Sequence, residues 1–297
     1  MLKKRKDYST SQILIHLLFI LLSLMCIVPL LIILSISLTS ENVLMTQGYS
    51  LFPKNFTIYA YQYVLSGASS VIRAYGVTIF VTVAGTFIHV LTTAMLAYAL
   101  TRKEVTARNK ISLFVFFPVL FSGGLVPYYI LLTKVLKLKN TLWVLIAAGV
   151  VSPMNVIIMK NFFRTIPESL IESARIDGSS EYRTLFQIVM PLSKPSLATI
   201  GLFTAIGYWN NWMQCSLFIE TPKLYTLQYL LQSLMNNIKY LQANAGNIRG
   251  MENAILSLPS EGARMATCIL SIGPIILLYP LIQKYFEKGL TIGAVKE

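Results

Sequence analysis

The sequence predicts an all-α polytopic membrane protein with six transmembrane helices. Three observations carry that prediction. The chain has 297 residues, 55% of them hydrophobic and only 12% charged, about half the charge fraction of an average soluble domain. The apolar residues gather into six stretches free of Asp, Glu, Lys and Arg: 13–38, 75–100, 111–132, 141–159, 197–219 and 265–282. Basic residues are distributed unevenly between the segments that join them.

Each stretch is close to or above the roughly 20 residues needed to cross a ~30 Å hydrocarbon core as a helix. The last is the shortest, and Arg264 and Lys284 at its ends can snorkel to the interfaces. With Met1 on the cytoplasmic side, the inner segments hold Lys3, Lys4, Arg5 and Lys6, then Arg102, Lys103, Arg108 and Lys110. Next come Lys160, Arg164, Arg175, Arg183 and Lys194, and finally Lys284, Lys288 and Lys296. That is 16 of the 25 basic residues, which fixes both termini inside. Lys134, Lys137 and Lys139 disagree, forming a short basic loop outside. Reversing the orientation for their sake would break the other five spans. The formal net charge of +13 therefore belongs to the membrane edges and not to nucleic acid.

The elements follow in order. Lys3 to Lys6 before an apolar run resembles a signal peptide, but the run is too long for one and no small-residue cleavage site follows it, so it reads as an uncleaved first span. The outer loop 39–74 holds Gly48 to Pro53 and turn signals near Ser66–Ser70, and predicts short helices on the membrane surface. Loop 101–110 is a brief charged turn. The third span is interrupted by Pro118, Gly123-Gly124 and Pro127. Either it is a broken, pathway-facing helix, or the helix ends near Ser122 and re-enters the interface. The outer loop 220–264 mixes apolar and amide residues and predicts folded structure. Residues 1–297 form one membrane domain with no internal repeat.

The inner segment 160–196 is a polar island. Thr165-Ile166-Pro167-Glu168 opens a helix that Thr165 can cap, with Glu168 reaching back. Ile166, Leu170, Ile171 and Ala174 fall on one side, while Glu168, Glu172 and Arg175 lie off that stripe. Gly178 can end the helix at positive φ, after which Ser179 or Ser180 can cap a second helix running toward Pro191. Spacing alone leaves two readings, an amphipathic connector or a helix that projects charge into the cytoplasm.

Glu172-Ser173-Ala174, then Gly178 after three residues, then Ile188-x-Met190-Pro191 after nine, closely resembles the EAA loop of ABC importer permeases, E-A-A-x3-G-x9-I-x-L-P. It departs at Ser173 and Met190. The likeness continues through Leu51-Phe52-Pro53 with Phe56 and Tyr59 to Tyr63, through Gly123 to Pro127, Asn140 to Trp143, Tyr208 to Trp212, and the tail Lys288 to Lys296. These segments resemble carbohydrate-uptake permeases, in the branch for complex oligosaccharides or polysaccharides. The resemblance implies a type I ABC importer permease (MetI-like) architecture in a bacterial inner membrane. It implies a second homologous permease, a dimer of ATP-binding subunits, an extracellular solute-binding protein, a sugar substrate and surrounding lipid as partners. It implies that Glu168, Glu172, Ser173, Ala174, Asp177 and Gly178 face the ATPase, and that Gly293 and Lys296 approach its interface.

What the chain lacks agrees. No G-x-x-x-x-G-K-[ST] occurs, so ATP and Mg belong to the partner ATPase, and no cofactor or enzymatic activity is expected of this chain. An ATP-independent carrier would need a coupling-ion site or an internal repeat, and a membrane enzyme would need a catalytic constellation; the sequence presents none of these. His16 and His89 stand alone within spans and read as hydrogen-bonded packing residues, with no metal site. Cys26, Cys215 and Cys268 read as small hydrophobes. Tyr208, Trp209, Asn210, Asn211 and Trp212 set amides beside aromatic faces within a span. That pattern suits a sugar pathway, and equally an interfacial belt or helix–helix hydrogen bonding.

Overall fold

A computed structural model describes residues 10–66, 68–121, 123–244 and 259–276. In chain order the helices are α1 (Thr10–Ser37), α2 (Glu41–Gln47), α3 (Tyr59–Val64), α4 (Ala68–Thr101), α5 (Arg108–Leu120) and α6 (Leu125–Ile130). They continue with α7 (Leu142–Ala147), α8 (Pro153–Phe163), α9 (Glu168–Ile176), α10 (Glu181–Thr184), α11 (Met190–Leu192), α12 (Lys194–Trp209), α13 (Trp212–Phe218) and α14 (Leu227–Ala243). Residues 260–276 form α15. Turns of π-helix at Leu131–Val135 and Leu185–Val189 extend α6 and join α10 to α11. Among the described residues there is no strand, only an isolated bridge between Thr39 and Phe56.

Two compact units are present. Among the described residues, one is built from the chain between 10 and 68 together with stretches between 233 and 273; the other runs from Ser69 to Gln232 and includes 274–276. In the first, Leu14–Ser37 of α1 is apolar, long enough to cross a membrane, and unburied along its apolar window. Lipid or a neighbouring subunit must cover such a surface in water-free surroundings. In the same unit the short helices expected in the first outer loop appear as α2 and α3. The Glu41 carboxylate accepts hydrogen bonds from the Ser260 hydroxyl (3.0 Å) and from the backbone N–H groups of Glu261 (3.1 Å) and Gly262 (3.2 Å). An acidic side chain of α2 thus satisfies the orphan donors at the start of α15.

In the second unit Ser69–Thr101 is a second helix of membrane-crossing length. Two further crossings result only if each of two bent pairs is taken as one span: α5 with the helix after it, turned by 118°, and Glu181–Leu192 with α12, turned by 84°. Six continuous spanning helices are therefore not what the described residues display. Residues 111–132 divide at Leu120, where Pro118 and the positive φ of Gly124 (79°) break the ladder. Residues 141–159 divide into α7 and α8, and 197–219 into α12 and α13 at Asn210-Asn211. The stretch 265–282 is helical as far as residue 276 and otherwise lies outside the described residues.

The core of this unit seats the island. Ala94, Ala97 and Tyr98 of α4 pack with Val156, Met159 and Phe163 of α8, Ile171 of α9, Leu185, Val189 and Ile200, with Ile166 against the rim. The small residues of α4 let its neighbours approach closely. Ile171 is 3% exposed and Ala174 7%, and burying a side chain the size of isoleucine contributes about 1.5–3 kcal/mol. The predicted apolar stripe is real except at Leu170, which is exposed.

Candidate functional site

Two places concentrate polar chemistry, and both lie within the second unit. The first is the island helix α9. Pro167 stands immediately before it in extended conformation and no side chain caps it. The Thr165 hydroxyl donates instead to the Phe162 carbonyl at 2.7 Å. The expected Thr165 cap fails because Pro167, two residues later, already sets the extended turn that starts the helix. Glu168 does not fold back; it pairs with Lys103 of the loop after α4 at 3.0 Å. At the other end Gly178 has φ 78°. Its N–H donates to the Arg175 carbonyl and that of Ser179 to the Ala174 carbonyl, each at 2.9 Å. This is a Schellman stop, in which a left-handed residue lets the last carbonyls be satisfied. Ser180, not Ser179, caps α10 by accepting from the Arg183 N–H at 3.3 Å.

Arg175 is the centre of a charge cluster. Its guanidinium donates to Glu104 in the loop after α4, and to Glu181 of α10 at 2.9 and 3.2 Å. The other carboxylate oxygen of Glu181 accepts from the Tyr98 hydroxyl at 2.6 Å, and the Arg102 guanidinium lies 4.9 Å above the Tyr98 ring. The hydrogen bond from Arg175 holds the Glu104 carboxyl down at about 2, and the two carboxylates raise Arg175 above the ordinary arginine value. One side chain thereby ties the island to the C-terminal end of α4. What remains facing out is Glu172, Ser173, Asp177 and Gly178, all exposed, and Ile176, which is 87% exposed. The carboxylates of Glu172 and Asp177 make no hydrogen bond or ion pair among the described residues. Gly293 and Lys296 lie outside the described residues.

The second place is the gap between α7 and α8. Breaking a helix within an apolar stretch frees carbonyls that need other partners. Here protein groups supply them. The Tyr208 hydroxyl donates to the Ile146 carbonyl at 2.8 Å. His89 Nδ1 donates to the Gly149 carbonyl at 2.6 Å. Thr92 Oγ1 reaches the Val150 carbonyl at 2.8 Å, sharing its proton with the Ile88 and His89 carbonyls of its own helix. With its proton on Nδ1, His89 presents a bare Nε2, which accepts from the Asn155 amide at 2.8 Å. Beside this frame lies a cavity of about 280 Å³, lined by His89, Ser152, Asn155, Thr204, Tyr208 and Asn211 among others.

The five residues singled out near the end of α12 therefore divide. Tyr208 and Trp209 are buried, the first bonded to Ile146 and the second beside the Tyr75 ring at 6.5 Å. A Cβ at Gly85 or Gly149 would come within 2.6 and 2.7 Å of the Tyr208 side chain, so two glycines admit that ring. Asn210 caps α12 on the Ile206 carbonyl (3.1 Å) and accepts from Gln228. Asn211 caps α13 by accepting from the Gln214 N–H at 3.1 Å and also lines the cavity. Trp212 is exposed.

Residues 90–292 match the family model for the binding-protein-dependent transport system inner membrane component. The chain belongs to this family. It is 40% identical over 270 residues to protein LplC of Bacillus subtilis (strain 168), covering 91% of this chain and 89% of that one. It is 34% identical over 285 residues to the polygalacturonan/rhamnogalacturonan transport system permease protein YtcP of the same organism, covering 96% and 98%. It is 28% identical over 301 residues to the arabinooligosaccharides transport system permease protein AraQ of Halalkalibacterium halodurans, covering 99% of each. In structure it is similar to a chain from the crystal structure of a bacterial ABC transporter involved in the import of the acidic polysaccharide alginate. The TM-score is 0.77 at 27% identity, over 96% of this chain and all of that one. The permease resemblance read from the sequence thus holds over nearly the whole length. The chain is a membrane component of a transport system and not an enzyme.

Proposed function

We propose that this chain is the translocation subunit of an ABC importer for an oligosaccharide, or for a fragment of a polysaccharide. It works beside a second homologous permease, on a dimer of ATP-binding subunits that hold ATP and Mg, and receives sugar from an extracellular binding protein. It crosses the inner membrane six times with both termini cytoplasmic, some crossings being bent or broken helices. The observation that carries the reading is α9. It is anchored by Ile171 and Ala174, stopped at Gly178, and leaves Glu172, Ser173, Asp177 and Ile176 projecting. Those residues, with Glu168 and Ala174, form the coupling element to the ATPase, and Gly293 and Lys296 approach the same subunit. The names of the relatives support an oligosaccharide as cargo. On the pathway side, Asn211 faces the cargo route, Tyr208 and Trp209 shape its wall, and Asn210 and Trp212 lie at its rim.

The test is expression of the chain with its companion permease, ATPase and binding protein, followed by pull-down and sugar uptake into proteoliposomes. Co-purification of the ATPase, lost on reversing charge with Glu172→Lys, is the expected result. Uptake that continues without any ATPase would overturn the proposal in favour of a facilitator.

A further inference from the structure

The cavity beside the broken fourth stretch is the strongest feature that the coupling reading leaves unused. It falls at the middle of three apolar stretches: His89 within 75–100, residues 148–155 within 141–159, and 204–211 within 197–219. Its lining carries polar groups but no Asp, Glu, Lys or Arg. Several of those groups have bonding capacity to spare. Asn155 uses one amide hydrogen on His89, leaving its carbonyl oxygen and second hydrogen. The Thr204 hydroxyl is buried without a partner. Ser152 accepts weakly from the Asn155 N–H at 3.5 Å and keeps its own proton. Asn211 spends its oxygen on Gln214 and retains two amide hydrogens.

Buried polar atoms without partners are costly, and packing alone gives no reason to gather them around an open space. An adjacent set of neutral donors and acceptors is what a ring of hydroxyl groups requires. It offers no countercharge to a carboxylate or an ammonium group taken out of water. The frame behind it is rigid, because Tyr208, His89 and Thr92 are fixed on the freed carbonyls. The Tyr208 ring is held between Gly85 and Gly149 and cannot swing out as a stacking face.

We infer that this cavity is a cargo subsite that recognises uncharged sugar hydroxyls, with Asn155, Thr204, Ser152 and Asn211 as contacts and His89 as the residue that positions Asn155. The inference rests on the import reading above and adds to it a specificity: the part of the cargo read by this chain is neutral.

The test uses the assembled importer in proteoliposomes, with arabinotriose as the neutral probe and trigalacturonate as its anionic counterpart. Thr204→Val and Asn155→Ala are compared with wild type for uptake at sub-saturating sugar and for ATPase stimulation by the binding protein. Loss of one hydrogen bond to a hydroxyl predicts uptake of arabinotriose falling about tenfold in each variant, with stimulated ATPase retained. Thr204→Val keeps nearly the same shape, so it decides the matter if Asn155→Ala fails to assemble. Unchanged uptake in Thr204→Val would remove the subsite while leaving the import reading intact. Wild-type uptake of trigalacturonate alone would overturn the neutral specificity. Wild type whose ATPase is stimulated by the binding protein but which takes up no arabinotriose would overturn this inference alone, and wild type that shows neither stimulation nor uptake of either probe would take the import reading with it.

Discussion

The Tyr208 hydroxyl donates to the Ile146 carbonyl at 2.8 Å, joining α12 to the last turn of α7 across 62 residues of sequence. That bond closes one of the carbonyls freed where the fourth stretch stops being helical. Its geometry depends on two absent side chains, since a Cβ at Gly85 or Gly149 would overlap the same ring.

The first prediction follows from this packing. Tyr208→Phe removes one buried hydrogen bond and should destabilise the detergent-solubilised chain by about 1 kcal/mol. Gly85→Ala forces the ring or α4 to move and should cost about 1–3 kcal/mol, as overpacking does. If the clash is the cause, Tyr208→Ala in the Gly85→Ala background should cost less than in wild type. Thermal unfolding of wild type, the two single alanine variants and the double variant measures the coupling, and simple additivity would refute the clash.

The second concerns Arg175. Removing it leaves Glu104 and Glu181 facing each other without the cation between them, so Arg175→Ala should slacken the hold of α4 on α9. Uptake should fall severalfold while the ATPase still binds, because Glu172 and Asp177 are untouched. Acid should not reproduce this. Glu104 is held at about 2 by its bond from Arg175. A depressed carboxyl supports the fold above its unfolded value, and that support goes only as pH falls through the folded value. Uptake between pH 8 and 5 should therefore show no step attributable to this pair, whereas Glu104→Gln should weaken coupling at every pH. A wild-type loss near pH 5 that Glu104→Gln abolishes would contradict the assignment.

At Gly178 the penalty for a side chain is purely conformational. The φ of 78° is left-handed, and nothing lies within 4 Å of an added Cβ. Gly178→Val should therefore be strained and re-aim the helix, while Gly178→Asn should be nearly tolerated, because asparagine visits this region readily. Both variants should reach the membrane. The measurement is ATPase retained on pull-down, with Val well below Asn; equal retention would mean the turn is not what positions α9.

These sites were unevenly legible in the sequence. The Gly178 stop and the stripe through Ile171 and Ala174 follow from φ preference and local periodicity, and they hold; of the six apolar stretches, only the first two appear as unbroken helices of membrane-crossing length among the described residues. The break in the third stretch is announced by Pro118 and Gly123-Gly124, but the one in the fourth does not show in hydropathy, since Ala148-Gly149-Val150-Val151-Ser152 is almost wholly apolar. What stabilises that gap is Tyr208, His89 and Thr92 arriving from other helices, and no local pattern carries that. One signal was available: Pro153 disfavours helix at Ser152 and reads as a helix start. The Arg175 cluster joins positions 104, 175 and 181, and its span from 104 to 175 is invisible to helical spacing. Thr165 does not cap α9, because Pro167 is the nearer determinant.

Orientation is open to direct chemistry. The basic-residue asymmetry predicts that loops 39–74 and 220–264 are outside and the island inside. In a cysteine-free background, single cysteines at Ser69 and Asn247 should react with an impermeant maleimide in intact cells. One at Ser179 should react only after permeabilisation. Labelling of Ser179 in intact cells would invert the topology.

The last prediction tests how α15 is held. Glu41 supplies the acceptors for three donors at its start, from the Ser260 hydroxyl and the backbone of Glu261 and Gly262. A carboxylate there also meets the positive end of the helix dipole, so charge and hydrogen bonding act together. Glu41→Gln keeps an acceptor oxygen but loses the charge, and should cost about 0.5 kcal/mol. Glu41→Ala leaves the orphan N–H groups to water and should cost about 1–2 kcal/mol, in the range of lost helix caps. Glu41→Lys adds repulsion and should be the worst of the three. Neighbouring Tyr49 donates to Glu261 at 3.1 Å, and that carboxylate pushes the Tyr49 hydroxyl upward from its ordinary value, so the phenol remains a donor at neutral pH. Tyr49→Phe should then cost less than Glu41→Ala, because the contact is exposed and leaves the backbone donors satisfied. Thermal melts of the purified chain in one detergent rank the four variants, and a rank order in which Tyr49→Phe exceeds Glu41→Ala would show that α15 is held by its side-chain contacts and not by the carboxylate at its end.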